Sequence, residues 1–274
     1  MKARDSFAPA WLLVLALAAG HAHAGRSCED RPMTADMLRN GLATAQRAQE
    51  ALEAEHARNG TQVVVLARAG QDLSKYGLRY SHFGYAYRDE SGGAATWRVV
   101  HKLNQCGTAT SALYRQGLGE FFLDDLWRQE AAWVVLKPEL QQRLLPLLRD
   151  NVAVAKLHQP AYSMVAYSWA TKYQQSNQWV IETLALAQTP PAADRAQAQA
   201  WLQWQGYQPT TLHLGPLTRL GGRVTRANIA FDDHPNEKRF SDRIETVTVD
   251  SAFAWLAKSG LGSAPQAVRL DALP

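Results

Sequence analysis

The chain has 274 residues, 46% of them apolar and 20% charged, with nine tryptophans and a net charge of +4. This composition excludes a disordered chain. A mild positive balance without a basic tract also argues against a dedicated nucleic-acid binder, which concentrates its cations.

The N-terminus reads as an export signal. Lys2 and Arg4 supply the positive start, Ala8 to Ala19 an apolar run, and His21-Ala22-His23-Ala24 a small-residue cleavage site. The run is shorter than the roughly 20 residues a spanning helix needs. Cleavage near Ala24 leaves 250 residues, a charge of +3, no expected transmembrane segment, and a periplasmic or secreted location. Such a chain can bury a large core.

Beyond the signal, Thr34 or Asp36 caps a helix running to about Arg58. Its Leu38, Leu42, Ala45, Ala48 and Leu52 share one face, and Asn59-Gly60 stops it. Gln62 to Ala67, Ser81 to Arg88 and Thr96 to Leu103 read as strands. Asp89-Glu90-Ser91-Gly92-Gly93 forms the hairpin loop between the last two. Ala132 to Leu136 is a further strand, and Pro138 opens a helix to about Arg149. Helical spacing recurs from Ser176 to Ala187 and from Ala192 to Gln205. Glu245 to Val249 is a strand, and a last helix lies near Ser251 to Lys258. This order predicts an α+β fold with an antiparallel sheet and flanking helices.

Several residues have chemistry to offer. A hairpin centred on the 89–93 loop makes His82 and His101 near neighbours across two strands. Imidazole suits general-base work near neutral pH, provided a second group fixes its orientation; His101 or Asn104 fits that role. Ser176 opens a helix, where a hydroxyl either caps free backbone N–H groups or attacks a substrate whose developing charge those groups stabilise. Cys28 and Cys106, the only cysteines, read as a disulfide closing a loop of about 78 residues, typically contributing roughly 2–5 kcal/mol. The alternative makes Cys106 a thiolate nucleophile with His82 or His101 as base. Asp232-Asp233-His234 with Glu237 reads as a solvated acidic loop, so no metal and no cofactor are expected.

Two resemblances bear on these residues. The strand Ser81-His82-Phe83-Gly84-Tyr85-Ala86 resembles the histidine strand of permuted papain-like proteins, the permuted NlpC/P60 enzymes and lecithin-retinol acyltransferase-like proteins. Their Asn-Cys-Glu-His-Phe-Val nucleophile motif falls on Gln175-Ser176-Asn177-Gln178-Trp179-Val180, with the valine identical and serine in place of cysteine. The resemblance implies a permuted papain-like core over about residues 60–190, within one domain of residues 25–274 whose extension spans 191–274. It implies His82 as base, His101 as its orienting partner and Ser176 at the nucleophile position, supported by Gln175, Asn177 and Trp179. A serine hydroxyl needs concerted proton removal where a thiol is readily ionised, so the exchange also matches a site that binds without turnover.

The second resemblance covers nearly the whole mature chain. Gly70-Gln71-Asp72-Leu73-Ser74-Lys75-Tyr76-Gly77-Leu78-Arg79-Tyr80-Ser81-His82, Leu103-Asn104-Gln105-Cys106-Gly107-Thr108, Gly117-Leu118-Gly119-Glu120-Phe121-Phe122 and Ser176-Asn177-Gln178-Trp179 are similar to the bacterial domain of unknown function 2145. It implies an exported bacterial protein and no particular activity. The function expected is therefore a cell-envelope amide or ester hydrolase or acyltransferase, acting on a peptide, peptidoglycan or lipid substrate. The alternative is a non-catalytic periplasmic binding protein on a degenerate papain-like fold.

Overall fold

The computed structural model describes residues 32–270. The signal segment, its cleavage site and Cys28 lie outside the described residues. Helix α1 (Ala35–Asn59) begins where the Thr34 hydroxyl accepts a hydrogen bond from Met37 N–H at 3.2 Å, and it ends at Gly60, whose φ of 72° suits glycine. Ala45, Ala48 and Leu52 are buried, whereas Leu38 and Leu42 of the same stripe are exposed. The 3.6-residue period fixes the inward face of a helix, but not how much of its length the sheet covers.

The next elements are β1 (Val63–Ala69), β2 (His82–Asp89), β3 (Thr96–Asn104), β4 (Ser111–Gly117), the short helix α2 (Leu118–Phe122) and β5 (Arg128–Val135). Helices α3 (Pro138–Arg149), α4 (Asn151–Val154), α5 (Ser176–Thr183) and α6 (Arg195–Trp204) follow. The chain closes with β6 (Thr210–His213), α7 (Pro216–Thr225), α8 (Asn236–Arg239), β7 (Arg243–Thr246), α9 (Val249–Lys258) and β8 (Gln266–Arg269). The α+β expectation therefore holds, with elements starting within a few residues of the predicted positions. Strands β4, β6 and β8 and helices α2, α4, α7 and α8 were not predicted. They are short, or lie at the surface with too little buried area for a clear period.

Six strands form one antiparallel sheet in the order β4-β3-β2-β1-β5-β8, and β6 pairs with β7 in a separate ribbon. Helices cover both faces of the large sheet. On one face, Val64, Leu66, Ala86 and Val99 pack with α1 and with Phe121 and Phe122 of α2. On the other, Val65, Phe83, Tyr85 and Val100 pack under α3, α5, α6 and α9, with Trp179 and Leu256 fully enclosed. Burial on both faces explains why β1 reads as an unbroken apolar run and not an alternating one.

Candidate functional site

Successive side chains on a strand point to opposite faces of the sheet, and this alternation decides the geometry of the predicted site. Phe83, Tyr85 and Tyr87 belong to the α5 face, so His82, Gly84 and Ala86 belong to the α1–α2 face. The His82 Nε2 lies 2.8 Å from His101 Nδ1, and His101 Nε2 lies 2.8 Å from Gln116 Oε1. Both rings pack against Phe121, with centroids 6.0 and 5.3 Å away. Arg68, directly opposite His82 in the register, has its guanidinium over the same phenyl ring at 4.8 Å. It also pairs with Asp124 at 2.6 Å. Gly84 makes the close approach feasible, because a Cβ there would stand 2.7 Å from both the His101 Cβ and the Val100 carbonyl oxygen.

The electrostatics keep these imidazoles neutral. Burial first, and the Arg68 charge second, push His101 down to about 3, against some help from its Gln116 hydrogen bond and Asp124. Burial, Arg68 and His101 together hold His82 well below the usual histidine range. A ring that resists its proton this strongly is a poor general base at neutral pH.

Ser176 sits on the other face. Helix α5 packs on Phe83 and Tyr85, the Tyr85 hydroxyl donates to the Val180 carbonyl at 2.5 Å, and Ser176 hydrogen-bonds Tyr162. The sheet separates Ser176 from His82 and His101. The fold does not bring the expected base His82 and the expected attacking group Ser176 together: the strand parity that buries Phe83 and Tyr85 under α5 turns His82 away from it.

Four supporting assignments change with it. Of the two groups expected to orient His82, His101 meets it and Asn104 does not; the Asn104 Nδ2 donates to the carbonyls of Thr108 and Thr110, and its Oδ1 accepts from Asn228. Gln116, on the unpredicted strand β4, is the further partner that holds His101. Gln175, not Ser176, is the cap of α5: its side-chain oxygen accepts from Asn177 N–H at 3.3 Å, while its amide donates to Thr246 and Val247. Trp179 is fully buried core, and its ring meets Tyr85 edge-on at 6.0 Å. Asn177 reaches the Ser81 carbonyl at 3.4 Å, so it ties α5 to the segment entering β2.

Among the described residues no cysteine is free. Cys106, in the turn after β3, therefore offers no thiol nucleophile, and its expected partner Cys28 lies outside those residues. Among them also, no group of three or more His, Cys, Asp and Glu side chains is arranged to hold a metal ion. Asp232 instead pairs with Lys172 at 2.6 Å, and Asp233 with His234 at 3.0 Å.

Beneath α5 runs a buried polar network. Lys102 donates to the Gln159 carbonyl and the Gln174 side chain, at 2.6 and 2.7 Å. Gln174 donates on to Glu182, which also takes two bonds from Arg195 and one from Gln199. Burial, with Arg195 adding to it, lowers Lys102 to about 6. Such a value accompanies many catalytic lysines. Here the amine's hydrogen bonds go to the buried Gln174 side chain and the half-buried Gln159 carbonyl, and its work is to join β3 to the loop that precedes α5.

Open to solvent is a cleft of about 400 Å³ between β4 and α4. Val100, Leu113 and Val154 give it an apolar floor; Arg115, Asn151 and His158 give it a polar side. Arg115 is held in place by Asn151 and by the Leu148 carbonyl, the latter at 2.5 Å. His158 is lowered to about 4, by burial and then by the nearby Lys102 charge, and its Nδ1 has no protein partner. The fold brings Ser111, Lys102 and Arg115 around His158.

Residues 55–256 match the model of a protein family described as uncharacterized protein conserved in bacteria, DUF2145. No curated protein and no solved structure matches the chain.

Proposed function

The chain belongs to the DUF2145 family, and for it we propose an exported, non-catalytic binding protein of the cell envelope, with the β4–α4 cleft as the ligand seat. The observation that carries this reading is the opposition of faces. The His82–His101 pair packs against α2, Ser176 belongs to the α5 layer, and a nucleophile needs its base within about 3 Å. The papain-like reading retains the order of histidine strand, next strand and helix; the parity of β2 withholds its catalytic geometry.

The cleft suits a small amphipathic ligand. Its volume lies within the usual range for small-molecule sites, which combine an apolar lining with a few polar groups. Arg115 favours a carboxylate and the apolar floor an aliphatic chain. A carboxylate-bearing peptide or acyl fragment of the envelope combines those features.

Two measurements test this proposal. A fluorophosphonate probe is expected to leave wild type and Ser176→Ala equally unlabelled; labelling lost specifically in the variant would restore the hydrolase. Isothermal titration with short acyl-carboxylates and stem-like peptides is expected to give binding that Leu113→Asp weakens by about tenfold or more. Equal binding by wild type and variant would remove the cleft from the proposal.

A further inference from the structure

Helix α7 is built inside out. At 100° per residue, Leu217, Leu220 and Val224 fall within about 60° of one another, a stripe of the kind that normally faces a core. Here the three are 85%, 60% and 75% exposed, and α7 has no buried residue. The side facing the protein carries Gly222, where a Cβ would meet Ile229 at 3.4 Å, and Arg219. The latter pairs with Asp242 at 2.9 Å and donates to the Arg239 carbonyl. The small and charged residues thus dock the helix, and the leucines are presented outward.

The surroundings of the stripe are cationic. Arg223 is exposed and adjoins Leu220 on the wheel, and α7 has no acidic residue; none occurs between Asp194 and Asp232. At the C-terminal end of α8, which Arg219 ties to α7, Phe240 is 70% exposed with the Arg239 guanidinium 4.6 Å from its ring centre. Arg243 just beyond is exposed as well. An outward apolar stripe bordered by arginines is the composition of a helix that lies in a lipid interface, with anionic headgroups meeting the cations. Among the described residues no helix is long and apolar enough to cross a membrane, so the contact is one of lying on the surface. A second copy of the chain is a weaker fit. A standard interface takes about 800 Å² from each partner, more than four side chains supply, and like-charged arginines would face one another.

We propose that α7, with Phe240, is a docking surface for an anionic phospholipid bilayer. The test is co-sedimentation of the mature chain with vesicles of phosphatidylcholine alone or mixed with phosphatidylglycerol. Wild type is expected to partition onto the mixed vesicles at least about tenfold better than onto phosphatidylcholine, and to lose that preference at high salt. The triple variant Leu217→Gln, Leu220→Gln, Val224→Thr is expected to lose binding by about tenfold. Arg223→Glu with Arg243→Glu serves as a second variant, expected to abolish the preference for phosphatidylglycerol. Equal sedimentation of wild type and triple variant, or no binding to either vesicle, would overturn the proposal. So would concentration-dependent self-association in analytical ultracentrifugation, abolished by the triple variant, without vesicle binding.

Discussion

His101 shows how a residue suited to catalysis is turned to structure. Fully buried between His82 and Gln116, it accepts a proton only near pH 3 in the folded chain, whereas the unfolded chain takes one near pH 6.5. Between those values the unfolded state binds more protons. The stability held above pH 6.5 is therefore lost progressively as the pH falls toward 3. Urea midpoints measured from pH 7 to pH 4 are expected to fall more steeply for wild type than for His101→Gln. Parallel slopes would show that the carboxylates alone account for the acid sensitivity. The hydrogen-bonded pair itself was legible from residue types and hairpin spacing. The face it occupies was not, because both faces of β2 are buried and alternation then carries no polarity to read.

Helix α5 illustrates the same limit for an element. Its start at Ser176 was legible, since the spacing of Trp179, Val180 and Thr183 is helical. The cap was assigned one residue late, and the polar run Gln174 to Gln178 reads as surface, although all five residues are buried. Burial becomes tolerable because Lys102 and Glu182 hydrogen-bond Gln174, Thr246 and Val247 accept from the Gln175 amide, and the Tyr167 and Ser168 carbonyls accept from that of Gln178. Breaking that network from one side leaves an unpaired buried charge. Glu182→Ala, which strands Arg195, is expected to cost about 3–5 kcal/mol in urea unfolding. A loss below 1 kcal/mol would mean that water reaches the arginine.

For the whole molecule, the expected Cys28–Cys106 bridge would fasten the start of the mature chain to the β3–β4 turn. A loop of this length predicts that reduction, or Cys28→Ser, lowers stability by roughly 2–5 kcal/mol. Intact mass under alkylating conditions would show the two thiols blocked until reduction; alkylation of native protein at both sites would refute the bridge. Length, composition and periodicity by themselves determined the α+β class, the antiparallel hairpins and the positions of the main helices, because backbone propensity and amphipathic spacing are local properties. Family membership was legible too, through long motifs. Tertiary structure alone decided that His82 and Ser176 lie on opposite sides of the sheet, that His101 and not Asn104 meets His82, and that the leucines of α7 face outward. Each of these turns on which surface an element presents to its neighbours, and that choice is made by the packing of segments far apart in the chain.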